Sequence, residues 1–157
     1  MSTSSENESA VLPEHIFVLV HGNNGSPNDL SKITERIEKQ YRGNVLCIQI
    51  KSNCGQTHLG VQIGGRNVAR EVLEVIDSYE SNFQIRTHKF SMIGHSLGGL
   101  YIRFSVLDIM KGLKGTPIEY VSFTTLCTPH LGSRRPGGTR LKVIIHFFVN
   151  CCTILFV

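Results

Sequence analysis

Residues 94–99, with the sequence GHSLGG, place a serine between glycines two positions before and two positions after it. This G-x-S-x-G spacing is typical of a nucleophile elbow, a sharp turn from a strand into a helix that exposes the serine hydroxyl. The glycines let the backbone make the turn without side-chain clashes. The helix N-terminus then stabilises negative charge that develops near the serine. Ser96 is therefore predicted to be a nucleophile that forms an acyl-enzyme.

The residues on either side of the motif fit this turn. Residues 89–93 predict a short strand, and residues 97–111 predict a helix. A further glycine, Gly99, also stands where such a turn accommodates one. The pattern leaves one alternative open, a glycine-rich turn in which Ser96 only caps the helix.

The rest of the ordered chain alternates between strands and helices. Apolar runs rich in β-branched residues predict buried strands, and amphipathic segments predict helices. The strands are residues 15–20, 45–50 and 118–126, and the helices are residues 26–41 and 62–79. Ser26 is the expected N-cap of the first helix, with Pro27 at its first position. This alternation predicts an α/β fold, a parallel sheet with helices on both faces, in a single domain.

Composition excludes several classes of function. The chain has 157 residues, is 41% hydrophobic and 18% charged, and carries a net charge of +4. It has no basic patch interleaved with aromatic residues, so no nucleic acid partner is expected. Residues 1–14 are polar and predict a disordered tail without the apolar core of a signal peptide. Five cysteines without metal-ligand spacing fit a reducing compartment, so a cytoplasmic location is expected and no metal site is indicated. A serine hydrolase implies no metal or organic cofactor.

Four motifs in a fixed order give the chain a family resemblance. They are VLVHG at 18–22, the Gly25-Ser26 turn, GHSLGG at 94–99 and TPHLG at 128–132. Together they resemble the putative serine esterase family of lipase-like α/β-hydrolases, over about residues 16–138. The resemblance implies an α/β-hydrolase-like fold and hydrolysis of carboxylic esters, particularly lipid esters, so a lipid or small ester is the expected substrate.

The same resemblance implies an oxyanion hole beside Ser96. One donor would be the backbone N–H of Leu97, and the other would come from the loop after His21 and Gly22. We assign this second donor to Asn23 or Asn24. The loop after His21 and Gly22, which we call the glycine loop, follows a central strand and lies next to the serine. Backbone donors there can face the reacting carbonyl. His21 is expected to shape the loop rather than to act in catalysis.

The acid and base of a catalytic triad are not identifiable. In this fold they follow the serine, first Asp or Glu and then His. The acids after Ser96 are Asp108, twelve residues into the predicted helix and about 18 Å along its axis, and Glu119, at the start of the next strand. The later histidines are His130, a possible base whose more expected role is structural, and His146 in the apolar tail.

The lack of an identifiable acid and base predicts that the C-terminal part of the fold is missing. Residues 15–140 would then be a partial α/β-hydrolase domain that keeps the nucleophile and lacks the acid–base half. The fold would stop after four strands, which leaves an uncovered sheet edge and low solubility.

Residues 141–157 contain thirteen apolar residues of seventeen, with polar residues spaced by three or four. This spacing predicts an apolar helix that lies on the sheet. A membrane-spanning helix and a helix lying at the membrane surface are the alternatives, since basic residues precede the segment. Membrane surface contact through 141–157 is thus a possible partner interaction.

Two other functions remain open at this stage. A non-catalytic module that binds lipid or a partner would not need the Ser96 hydroxyl. An acyltransferase would use the same serine and differ only in the acyl acceptor.

Overall fold

A computed structural model of the chain describes residues 13–42, 44–78, 88–132 and 152–155. Strands and helices alternate along these ranges. Their bounds are β1 His15–Val20, α1 Ser31–Gln40, β2 Val45–Gln49, α2 Val61–Asp77, β3 His88–His95, α3 Leu97–Gly112, β4 Ile118–Leu126 and β5 Cys152–Leu155. A 3-10 turn at Pro27–Leu30 precedes α1, so the α-helix begins later than the sequence predicts, and a second 3-10 turn spans Thr57–Leu59.

The strands form one sheet in the order β2-β1-β3-β4-β5. β1 lies between β2 and β3 and pairs with both in parallel, and β3 pairs in parallel with β4. The chain therefore moves outward from β1 to β2 and then returns to the other side of β1. In sheets of this type, the carboxyl ends of the two strands at such a reversal flank a crevice that binds ligands. Here those strands are β1 and β3.

Helices cover both faces of the sheet, which confirms the predicted α/β architecture. All six residues of β1 are buried. Ile16, Val18 and Val20 join a core cluster with α2 and α3, whereas Phe17 and Leu19 pack in a second cluster with residues of α1. Because successive side chains of a strand point to opposite faces, a strand that is buried on both faces needs a continuous apolar run.

The prediction of a helix across 141–157 is wrong for residues 152–155. These residues form β5, which pairs antiparallel with β4 from Ser122↔Leu155 to Thr125↔Cys152. The outer edge of β4 presents backbone N–H and C=O groups that a strand can pair and a helix cannot. The predicted bare edge beside β4 is thus also wrong along this stretch. Residues 141–151 lie outside the described part of the chain.

No helix within the described ranges is long and apolar enough to span a bilayer.

The predicted disordered tail extends two residues too far. Residues 1–12 lie outside the described ranges, but Pro13 and Glu14 are tied to the sheet. The Glu14 carbonyl accepts a hydrogen bond of 3.0 Å from the Lys89 N–H, and the Pro13 carbonyl accepts one of 2.6 Å from His88 Nδ1. A backbone hydrogen bond at Glu14 and a side-chain hydrogen bond at Pro13 order these two positions, which composition alone does not reveal.

A buried histidine lies at the amino end of β1. His15 is 3% exposed, its Nε2 is 2.8 Å from Ser91 Oγ, and its ring stacks on Phe17 at a centroid distance of 4.0 Å. Burial lowers the pKa of His15 from 6.5 to about 4, and the positive charge of Lys89 contributes to this shift. Folded protein therefore holds His15 neutral at pH 7.

This burial predicts a loss of stability in mild acid. Between pH 6.5 and pH 4 the unfolded chain binds a proton at His15 that the folded chain does not. The free energy of unfolding should fall by about 3 kcal/mol over that range because of this group alone. In urea denaturation at several pH values, the stability difference between wild type and His15→Gln should change by about this amount.

His58→Gln is the matched control, since His58 is exposed. Its stability should follow that of the wild type with pH. Parallel curves for wild type and His15→Gln from pH 7 to pH 4 would contradict the assignment.

Candidate active site

Ser96 occupies the turn between β3 and α3, as the motif predicts. Its backbone has φ 53° and ψ −120°, a conformation that residues with a side chain rarely adopt. The Ser96 N–H donates a 2.8 Å hydrogen bond to the Leu126 carbonyl at the end of β4, which holds the turn against the sheet. The side chain is half-buried. The serine therefore stands at the carboxyl edge of the sheet in a strained conformation that the neighbouring strand supports.

Close backbone packing explains the glycines of the motif. A Cβ on Gly94 would lie 2.6 Å from the backbone N of Gly99, and a Cβ on Gly98 would collide with the carbonyl oxygen of Val20. The first turn of α3 thus packs directly on the backbone at the end of β1. Any larger residue at these two positions would push the helix away from the sheet.

The loop residue Gly22, two positions after β1, leaves no room for a side chain beside the serine. A Cβ on Gly22 would lie 2.9 Å from Ser96 Cβ and 3.3 Å from His95 Nδ1. This contact follows from the register, because Val20 pairs with Gly94 in neighbouring parallel strands. The loop that begins at His21 and Gly22 therefore lies beside Ser96, at the reversal of strand order where such sheets bind ligands.

Of the backbone N–H groups predicted to bind an oxyanion, two are free to donate among the described residues and one already makes a hydrogen bond. Leu97 is the first residue of α3, so its N–H has no acceptor within the helix. Asn23 is exposed, and its N–H makes no hydrogen bond within the described ranges. The Asn24 N–H, in contrast, donates to Thr57 Oγ1 at 3.0 Å. Of the two alternatives for the second donor, Asn23 is therefore the one whose N–H is available, because the Asn24 N–H is engaged by Thr57.

His130 follows β4 at the same edge of the sheet but is held by other groups. Its Nε2 is 3.0 Å from Thr125 Oγ1, and its backbone N–H donates to the Thr128 carbonyl at 2.9 Å. Within the described part of the chain, no hydrogen bond joins His130 to Ser96. These contacts fit the structural role that the sequence favours for His130.

His21 also has a structural place. Its side chain is 1% exposed, and its Nδ1 is 3.0 Å from the Gly22 carbonyl. The ring packs beneath the loop that it was expected to shape.

The two acids after Ser96 lie away from it. Asp108 is exposed on α3, three turns beyond the serine. Glu119 is exposed and pairs with Lys89 at the amino end of β4, whereas Ser96 lies at the carboxyl edge. The structure thus agrees with the geometric reasons for setting both aside. His146 lies outside the described residues.

Sequence reasoning missed a second loop that supports the site. Thr57 is buried, its Oγ1 accepts from the Asn24 N–H, and its carbonyl accepts a 3.1 Å hydrogen bond from the Tyr101 hydroxyl. Tyr101 lies on α3, one turn after Ser96. The loop after β1 is therefore linked through Thr57 to the helix that follows the serine. No local signal marks these residues, because their partners lie 33 and 44 positions away.

Comparison with known proteins identifies the family to which the chain belongs. Residues 11–151 match the family described as Putative serine esterase (DUF676). Two proteins of Saccharomyces cerevisiae are similar: Putative lipase ROG1, 29% identical over 143 residues and 87% of this chain, and Putative lipase YDR444W, 27% identical over 135 residues and 76% of this chain. These matches cover 20% and 19% of the two yeast proteins, so the chain spans about one fifth of their length.

One solved structure with a detectable likeness is an extracellular α/β-hydrolase from a Paenibacillus species. It is described as sharing structural and functional homology with Tobacco Salicylic Acid Binding Protein 2. The identity is 15%, the TM-score is 0.42, and the match covers 69% of this chain and 40% of the other.

The packing at Gly98 predicts that alanine substitution at two glycines of α3 will change stability by different amounts. Gly98→Ala should lower the free energy of unfolding by roughly 2–4 kcal/mol, because the new Cβ meets the rigid backbone of β1. In Gly112→Ala the new Cβ would lie 2.6 Å from Cδ1 of Leu73, a flexible side-chain end that can move. This control should change stability by less than about 1 kcal/mol. Thermal melts of the two variants should separate them, and equal melting temperatures would contradict this account of the turn.

Proposed function

Because the chain belongs to the family described as Putative serine esterase (DUF676), we propose that it is a serine hydrolase of carboxylic esters with Ser96 as its nucleophile. The observation that carries the proposal is the backbone of Ser96, at φ 53° and ψ −120° between β3 and α3. A turn of this kind acts as a nucleophile elbow, which lifts the hydroxyl clear of the sheet. Strain at one non-glycine residue, held by a neighbouring strand, is common at sites of chemistry.

In the proposed reaction, Ser96 Oγ attacks the ester carbonyl carbon and forms an acyl-enzyme, which water then hydrolyses. The carbonyl oxygen becomes negative in each tetrahedral intermediate. The backbone N–H groups of Leu97 and Asn23 are the donors that we assign to it. The N-terminus of α3 adds favourable electrostatic potential at the same position.

A base must accept the proton of the Ser96 hydroxyl for this attack. We assign His130 to the support of the turn after β4, since its Nε2 is occupied by the Thr125 hydroxyl. The base and its orienting acid are then expected outside the described residues. We propose lipid esters as the substrate class, because both yeast relatives carry the name Putative lipase.

Fluorophosphonate labelling tests the nucleophile directly. The probe forms a covalent bond with an activated serine, so the folded chain should be labelled at Ser96 and Ser96→Ala should not. Mass spectrometry of the labelled peptide identifies the site, and a thermal melt verifies that each sample is folded.

Ser78→Ala is the matched control, because Ser78 is exposed at the end of α2 and should not affect labelling. Equal labelling of folded Ser96→Ala would overturn the proposal and would favour a binding module that does not use the serine. A folded wild-type chain that takes up no probe would overturn activity of the 157-residue chain by itself, and would agree with the absence of an acid and a base for Ser96 among the described residues.

The oxyanion donor can be tested at Leu97. Leu97→Pro removes the N–H at the first helical position, where proline suits the helix, and should slow labelling by about 100-fold. Leu97→Ala keeps the N–H and loses the same packing, so the difference between the two variants measures the loss of the donor together with the restriction that proline places on the Ser96 backbone. Equal labelling rates for the two folded variants would argue against this donor.

A further inference from the structure

A second nucleophilic side chain, Cys54, lies against His21 in the loop after β1. Cys54 Sγ is 3.6 Å from Nε2 of His21, within hydrogen-bonding distance for sulfur. Cys54 is exposed, whereas His21 is 1% exposed. An accessible sulfur thus lies against a buried imidazole, which is the side-chain pairing of cysteine nucleophiles.

The hydrogen bond at the other ring nitrogen of His21, Nδ1, determines which of the two nitrogens carries the proton of the neutral ring. Nδ1 lies 3.0 Å from the Gly22 carbonyl oxygen, which can only accept, so Nδ1 carries the proton of the neutral ring. Nε2 therefore has a free electron pair directed at Cys54, and the thiol donates to it. The ring is oriented by a third group, as in other nucleophile–base pairs.

The loop that carries Cys54 is held in place on several sides. The Cys54 N–H donates to the Lys51 carbonyl at 2.9 Å. Three residues later, Thr57 is bound to Asn24 and to the Tyr101 hydroxyl. The thiol and the imidazole are therefore positioned by their own backbones rather than by a chance meeting of flexible side chains.

We propose that Cys54 and His21 form a reactive thiol–imidazole pair, a site at which small disulfides modify this protein covalently. His21 Nε2 takes the thiol proton while Cys54 sulfur attacks one sulfur of the disulfide. The S–S bond of the reagent breaks, a new S–S bond joins Cys54 to one half, and the other half leaves as a thiolate that recovers the proton from His21. This chemistry is separate from the ester hydrolysis proposed for Ser96.

The chain offers internal comparisons for this site. Cys47 is half-buried, and burial together with the charge of Glu38 raises its pKa to about 11, so it holds little thiolate at neutral pH. Cys127 is half-buried, and no hydrogen bond joins it to a histidine within the described ranges. Both should react more slowly than Cys54.

Reaction with oxidised glutathione at pH 7.4 tests the proposal. The 157-residue chain is treated for a series of times, quenched with acid, digested and analysed by mass spectrometry, which gives a separate rate for each cysteine peptide. Cys54 should form its mixed disulfide about tenfold faster in the folded chain than in the same chain unfolded in urea. A folded rate equal to or below the unfolded rate would overturn the proposal.

His21→Asn isolates the role of the base. Asparagine can still donate to the Gly22 carbonyl from the position of Nδ1, but it has no group at the position of Nε2. The rate at Cys54 should fall to that of the unfolded chain. His58→Asn, an exposed histidine in the same loop, should leave the rate unchanged.

An unchanged rate in folded His21→Asn would also overturn the proposal. If this variant does not fold, the comparison between folded and unfolded wild type still decides the question.

Discussion

Backbone contact between the first turn of α3 and the end of β1 is the constraint on which the site depends. Gly98 meets the Val20 carbonyl where no side-chain atom would fit, and Gly22 meets Ser96 Cβ in the same way. At these two contacts the chain packs too closely to admit further side chains, and the serine beside them has a positive φ of 53°. Everything that surrounds the serine, including the backbone donors assigned to it, is positioned by this close approach.

The close packing of α3 on the end of β1 is a result of sheet topology. β1 is an interior strand of the sheet, and the chain places β2 on one side of it and β3 on the other. The carboxyl ends of β1 and β3 therefore lie side by side while their following segments turn to opposite faces of the sheet. The crevice between them is where the serine and the glycine loop meet. The strained serine is stabilised there by a hydrogen bond to β4 and by the core beneath.

The loop before α2 links several parts of the site. Through Thr57 it binds both the loop after β1 and the hydroxyl of Tyr101 on α3. Through Cys54 it contacts His21, whose ring also holds the Gly22 carbonyl. A change at either point alters hydrogen bonds of the loop that lies beside Ser96. The proposed hydrolase site and the proposed thiol site therefore share one set of supporting contacts.

The sequence by itself determined the α/β architecture and the place of Ser96, because hydrophobic periodicity and the glycines of a tight turn are local properties. Only the tertiary structure showed that Asn24 is already bonded to Thr57, that His130 is held by Thr125, and that residues 152–155 extend the sheet. Each of these outcomes depends on a partner distant in sequence. An apolar segment becomes a strand when it meets an open sheet edge, and a backbone donor is available only when no neighbouring loop has used it.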